Sequence, residues 1–152
     1  MNAGGAVTAR ITAEELQALA RDAVPIAGAM GMRVEAVSAG DVLIRVPYRA
    51  EFVRPGGTVA GPVLMAAADF AMWGVVLSLV GRVELAVTTN LNINFLRRPA
   101  PEDVLARGRI LKLGQRLAVG EVSLHGAEES PDSLVAHVTC TYSIPPRGTG
   151  GT

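Results

Sequence analysis

A chain of 152 residues with 14 basic and 14 acidic side chains carries no formal net charge, which argues against electrostatic capture of nucleic acid or of an acidic membrane surface. Its length and its 49% hydrophobic content suffice for one domain with a sizeable core. A single cysteine, Cys140, excludes an internal disulfide, His125 and His137 are not at metal-ligand spacing, and no apolar run of signal-peptide length opens the chain. One soluble, cytoplasmic domain spanning 1–152 is expected, with no metal and with tails at 1–10 and 146–152.

Ile11 to Leu16 carries a helix start. Thr12 can cap, Glu15 falls where it closes a capping box, and Ile11 can staple onto Leu16. Leu16, Leu19, Ala20 and Ala23 then give one apolar stripe that ends before Pro25, as a brace or lid would. Arg33–Ala39 and Asp41–Pro47 read as strands joined tightly through Gly40, the second alternating on Val42, Ile44 and Val46. The Arg54-Pro55-Gly56-Gly57 centre of the next loop can continue neither a strand nor a helix.

Gly61 to Gly81, reading GPVLMAAADFAMWGVVLSLVG, is apolar on every side apart from Asp69. Pro62 fits the first turn of a helix, where a missing N–H matters least. A helix that is hydrophobic all round belongs in an interior. A carboxylate there is costly unless it is paired, hydrogen-bonded or kept for chemistry. The length also permits a membrane span. However, Asp at the centre of a lipid-facing helix costs roughly 2.5–3.5 kcal/mol, and no second long apolar run follows. A buried core helix is therefore expected.

After Gly81 the hydrophobic period falls to two. Leu85–Arg97, Val104–Leu113, Leu117–His125 and Leu134–Ile144 are strand-length segments separated by Pro99-Ala100-Pro101, Gly114-Gln115 and the polar stretch Glu128–Ser133. In the first, Val87, Leu91, Ile93 and Phe95 are expected on one face and Thr88, Asn90, Asn92 and Asn94 on the other. In the last, Leu134, Ala136, Val138, Cys140, Tyr142 and Ile144 form a continuous apolar face. A helix, two strands, a long apolar helix and four strands argue for an α+β fold with an antiparallel sheet of about five to six strands. A helix this apolar needs cover on several sides. A curved sheet rolled around it supplies that cover, which is the hotdog architecture.

Gly57-Thr58-Val59-Ala60-Gly61-Pro62-Val63, followed by Ala66-Ala67-Ala68-Asp69, resembles the helix-entry motif of PaaI-like hotdog acyl-CoA thioesterases. That motif is roughly G-T-x-H-G-G-[VI], with a catalytic Asp eight residues after the first Gly of its pair, and Gly61 and Asp69 keep the interval. Ala86–Pro99 and Val104–Arg116 look like the family's next two strands, so the resemblance spans about residues 30–145. It implies hydrolysis of an acyl-CoA thioester without metal or redox cofactor, CoA entering only as part of the substrate. Asp69 would be general base or nucleophile, and Thr88 would hold the attacking water. Gly61 would polarise the thioester oxygen through an N–H at the positive end of the helix. Arg54 would stand where many relatives carry Asn or Gln. Trp73 is a candidate to line an acyl pocket, with core packing or a helix–helix dimer seam as the alternative. Asn92, Lys112 and Arg116, with Arg97 and Arg98, are candidates to bind substrate, the cations meeting CoA phosphates. The resemblance also implies a homodimer with a shared site, Asp69 lying near the partner's Gly61, commonly doubled to a homotetramer as a dimer of dimers.

Three residues depart from the family pattern: Ala60 replaces its His, Pro62 replaces its second Gly and removes a backbone donor, and Arg54 brings a cation toward the site. They motivate a second reading, a non-catalytic hotdog protein that binds acyl thioesters or acts as an assembly partner.

Overall fold

A computed structural model describes residues 5–146 of the chain. Of the expected tails, residues 1–4 and 147–152 lie outside the described residues.

Helix α1 (Ala13–Ala23) opens on the expected capping box, with Thr12 Oγ1 accepting from the Glu15 N–H at 3.1 Å and Glu15 Oε2 accepting from the Thr12 N–H at 2.9 Å. Ile11, Leu16, Leu19 and Ala20 are buried, but Ala23 is exposed. The chain turns there into a second helix, α2 (Pro25–Ala29), whose five residues are too few to show a period. Strands β1 (Arg33–Ser38) and β2 (Asp41–Val46) form a hairpin. Gly40 turns it at a φ of 76°, close against Ile110. A small second hairpin, β3 (Val53–Arg54) and β4 (Thr58–Val59), turns through Gly56 and Gly57 at φ 98° and 77°. It delivers the chain to helix α3 (Gly61–Val80). Then come β5 (Val87–Phe95), β6 (Val104–Leu113), β7 (Leu117–Gly126) and β8 (Leu134–Ser143).

Six strands form one antiparallel sheet in the order β1-β2-β6-β7-β8-β5, and α3 packs against all six, so the fold is the α+β hotdog. By length and composition α3 could cross a membrane, yet 72% of its most apolar window is buried inside the domain. It lies close on the sheet because glycines sit beneath it. A Cβ on Gly108 would come within 2.9 Å of Val75. One on Gly120 would come within 2.5 Å of Met72 Sδ and 2.7 Å of the Arg109 carbonyl oxygen, which cannot swing aside. On another side Leu16 of α1 and Val42 close over Gly74. We expect Gly120→Ala to lower unfolding stability by about 1–3 kcal/mol through this overpacking. The check is the denaturant midpoint at constant slope, and an unmoved midpoint would contradict the close approach.

The alternation expected for β5 is corrected at one place. A bulge between Thr88 and Asn90 shifts the register against β8, so that Thr88 faces Tyr142 and Asn90 faces Thr141. One inserted residue inverts the parity that precedes it. Thr88 therefore shares the α3-facing side with Leu91, Ile93 and Phe95, while Val87 turns outward and is 58% exposed. The face of β8 is as expected: Ala136, Val138, Cys140 and Tyr142 are buried, and Ile144 beyond it also.

Candidate active site

Asp69 lies half-buried on α3, opposite the paired ends of β5 and β8. Its Oδ1 accepts two hydroxyl hydrogen bonds, from Thr88 Oγ1 at 2.5 Å and from the Tyr142 hydroxyl at 2.7 Å. The same Tyr142 hydroxyl lies 2.9 Å from the main-chain oxygen of Asp69. Among the described residues no Lys, Arg or His forms an ion pair with Asp69. Its Oδ2 has no hydrogen-bond partner there either, and it is not one of the buried unpaired atoms, so it is open to the cavity beside it.

That cavity measures about 290 Å³. Val24, Ala27 and Met32 wall it from the N-terminal elements, and Phe70 and Trp73 from α3. The two aromatic rings stack with centroids 6.0 Å apart. Burial first, and then the charge of Asp69, push the Tyr142 phenol well above its usual range, which keeps it a hydroxyl donor. The same two causes push the Cys140 thiol up to about 12, so it remains neutral beside the carboxylate.

At its start, α3 follows Ala60, whose extended backbone offers no side-chain cap. Pro62 has no N–H, and Val63 N bonds back to the Ala60 oxygen at 3.0 Å. The Gly61 N–H has no partner among the described residues. Gly61 lines a separate cavity of about 450 Å³ with Arg54, Leu64, Phe95 and Arg98. A Cβ at position 61 would sit 3.1 Å from the Phe95 ring, so glycine lets that ring lie over the helix entry. Eight residues of helix put about 12 Å of rise between Gly61 and Asp69. Within one chain, donor and carboxylate cannot reach the same carbonyl.

The other sequence candidates divide by location. Trp73 lines the Asp69 cavity, and its Nε1 donates a long 3.4 Å hydrogen bond to the Glu84 oxygen. Arg54 is exposed and belongs to the Gly61 cavity, and no Arg54–Asp69 ion pair forms within the chain. Asn92 pairs with Thr139 on the sheet face turned away from α3, because alternate residues of a strand point to opposite faces. Lys112 is exposed opposite Val119. Arg116, in the β6–β7 turn, donates to the Ile144 oxygen at 3.0 Å and lines a third cavity with Leu79 and Val80, at the far end of α3. Asn92, Lys112 and Arg116 are thus not gathered around Asp69 in this chain. Arg97 is held by Glu129 and the Ser133 oxygen. His125 bonds the Gly126 oxygen at 2.8 Å, and His137 bonds Glu121 at 3.0 Å. Among the described residues no cluster of His, Cys, Asp or Glu could hold a metal ion.

Sequence reasoning missed Tyr142 as a site residue. Its place on an inward-facing apolar strand was legible, but not what its hydroxyl meets. The available signal was chemical: a buried tyrosine hydroxyl must find a partner.

The family model described as Thioesterase superfamily matches residues 56–131, half of the chain. The match runs from the glycines before α3 through β7. A solved structure of a candidate thioesterase from Silicibacter sp. is 36% identical and superposes with a TM-score of 0.79, covering 95% of this chain and 97% of that one. A variant of the phenylacetic acid degradation protein PaaI from Thermus thermophilus is 25% identical with a TM-score of 0.69, covering 80% of this chain and 99% of that one. Among curated proteins, an esterase candidate from Saccharolobus solfataricus is 28% identical over 65% of this chain and 70% of its own length.

Proposed function

This chain belongs to the thioesterase superfamily, and on that premise we propose that it hydrolyses acyl-CoA-type thioesters with Asp69 as the reacting carboxylate. One observation carries the proposal: one oxygen of Asp69 is saturated by two hydroxyls, and the other is open to an apolar cavity. A carboxylate held in apolar surroundings without a cation is costly as structure alone, and it suits proton removal from water or direct attack on a carbonyl.

With Asp69 as base, Oδ2 takes a proton from water as the water oxygen bonds to the thioester carbon. The oxyanion so formed needs a donor, and the Gly61 N–H at the helix start, which has no partner among the described residues, is suited to it. One such donor stabilises a transition state by about 2.7–4 kcal/mol. The intermediate collapses with cleavage of the carbon–sulfur bond. The thiolate, a good leaving group because thiols have pKa values of about 8.5, recovers the proton from Asp69.

Because Gly61 and Asp69 are about 12 Å apart along one helix, the reading requires a homodimer in which Asp69 works with the partner's Gly61. Strand β5 favours this: it is a sheet edge, and Val87 and Phe95 on it are exposed. Pro62 and Met65 are exposed nearby on α3, in line with half-buried Ala66 and Asp69. A dimer of dimers, free of nucleic acid and membrane and resident in the cytoplasm, completes the proposal.

A cavity of about 290 Å³ falls just below the roughly 300–1,000 Å³ usual for ligand sites, so what one chain contributes has room for a compact, apolar acyl group. Trp73→Ala is expected to raise kcat/KM for longer acyl chains relative to short ones by about tenfold, since each buried methylene contributes about 0.8 kcal/mol. An unchanged chain-length order would exclude Trp73 from the acyl cavity wall.

The test of the function is thiol release from short-chain, medium-chain and aryl acyl-CoAs. The alternative, a non-catalytic binder, is favoured by Ala60 and Pro62, which leave the helix entry a single free donor in its first two positions. Tight binding of intact acyl-CoA without thiol release would select it.

A further inference from the structure

We infer that Tyr142 is a positioning residue for this hydrolysis: its hydroxyl and that of Thr88 pin Asp69 Oδ1, so that Oδ2 alone performs the chemistry. The inference rests on the function proposed above and adds which oxygen reacts and what orients it.

The two donors reach one oxygen from two different strands, Thr88 from β5 and Tyr142 from β8. Rotation of the carboxylate that exchanged Oδ1 for Oδ2 would break both bonds at once. Tyr142 does more than Thr88, because its hydroxyl lies within reach of both the side-chain and the main-chain oxygen of Asp69. It thereby ties the carboxylate to the helix backbone and restricts both side-chain torsions. The phenol is 3% exposed and packed in the core, so the anchor is rigid. A tyrosine serving packing alone would be satisfied by the main-chain oxygen.

The arrangement also suits both protonation states. When Oδ2 takes a proton from water, Oδ1 becomes the carbonyl oxygen of the neutral acid and still accepts from both hydroxyls. No donor has to turn over during the cycle. Among the described residues, the other titratable groups near Asp69 supply no positive charge: the Cys140 thiol on β8 is neutral, and Glu84 lines the same cavity from the α3–β5 connection. Among the described residues, the two hydroxyls are therefore the side-chain groups that hold the charged carboxylate.

The experiment compares wild type with Tyr142→Phe, which deletes the hydroxyl and keeps the ring. Hydrolysis of the best acyl-CoA of the panel is expected to fall about tenfold in kcat, with KM changed less than about twofold. The carbon-13 resonance of the Asp69 carboxyl, read at one fixed pH, should shift when the hydroxyl that bonds it is lost, and this readout does not depend on turnover. Thr88→Val, at a half-buried position, addresses the same oxygen if the tyrosine variant folds poorly. An active wild type whose Tyr142→Phe form keeps both kcat and the carboxyl resonance overturns the role of Tyr142 and leaves the function standing. A wild type that hydrolyses nothing, with the carboxyl resonance displaced in the variant, overturns the function and leaves the positioning in place.

Discussion

Asp69→Asn is expected to reduce kcat/KM for acyl-CoA hydrolysis by roughly 10²–10⁴-fold, the range a positioned acid or base contributes. The substitution is nearly isosteric. Its amide oxygen can still accept from Thr88 and Tyr142, so the contacts that orient the side chain persist. What disappears is the open oxygen: an amide NH₂ in the place of Oδ2 neither accepts a proton nor attacks a carbonyl. Because a partly buried charge is exchanged for a neutral group, thermal stability should hold or rise. Thiol release, size-exclusion chromatography and a melting curve on the same preparation separate the outcomes. Full activity in a folded variant would sink the assignment of Asp69.

The second large effect concerns where the oxyanion donor comes from. Gly61→Pro deletes the N–H at the start of α3. Proline suits the first helical position, and Ala60 already has the extended backbone, φ −67° and ψ 144°, preferred before proline, while the Phe95 ring, 3.1 Å from a Cβ placed there, must shift slightly. Alone it should cost about 10²–10³-fold in kcat, as loss of one oxyanion donor does. Mixed with Asp69→Asn chains, it should regain activity. A dimer with one chain of each kind keeps one intact site, formed by Asp69 of the proline variant and Gly61 of the asparagine variant. Random exchange at equal concentrations gives half mixed dimers with half their sites intact, hence roughly a quarter of wild-type activity from two nearly inactive parents. Mixed dimers verified by native mass spectrometry and yet inactive would remove the shared site.

Both experiments turn on geometry only partly legible in the chain. The interval between Gly61 and Asp69 could be counted, and helix rise converts it to a distance; together with the two separate cavities, that distance is why the proposed site draws on a second chain. Asn92 shows the limit. Its residue type suited a binding role, but pairing with Thr139 turns it to the face away from α3. Arg116 suited a phosphate, yet it hydrogen-bonds the Ile144 carbonyl beside the opposite end of the long helix. In both cases chemistry was readable and direction was not, because direction depends on register and on which elements lie side by side.

The chain alone determined the capping box at Thr12 and Glu15, the buried character of α3, the apolar face of β8 and the antiparallel α+β class. These follow from contacts between near neighbours and from periods of 2 and 3.6, which are written locally. Tertiary structure decided the site around Asp69. The bulge at Thr88 arises only when β5 pairs with β8, and it alone turns the threonine toward the helix. Tyr142 stands 73 positions from Asp69, and its hydroxyl meets the carboxylate only once sheet and helix have packed. A local pattern cannot encode a bond between residues so distant in the chain. The sequence therefore supplied the acid, and the fold chose which of its oxygens the two hydroxyls hold.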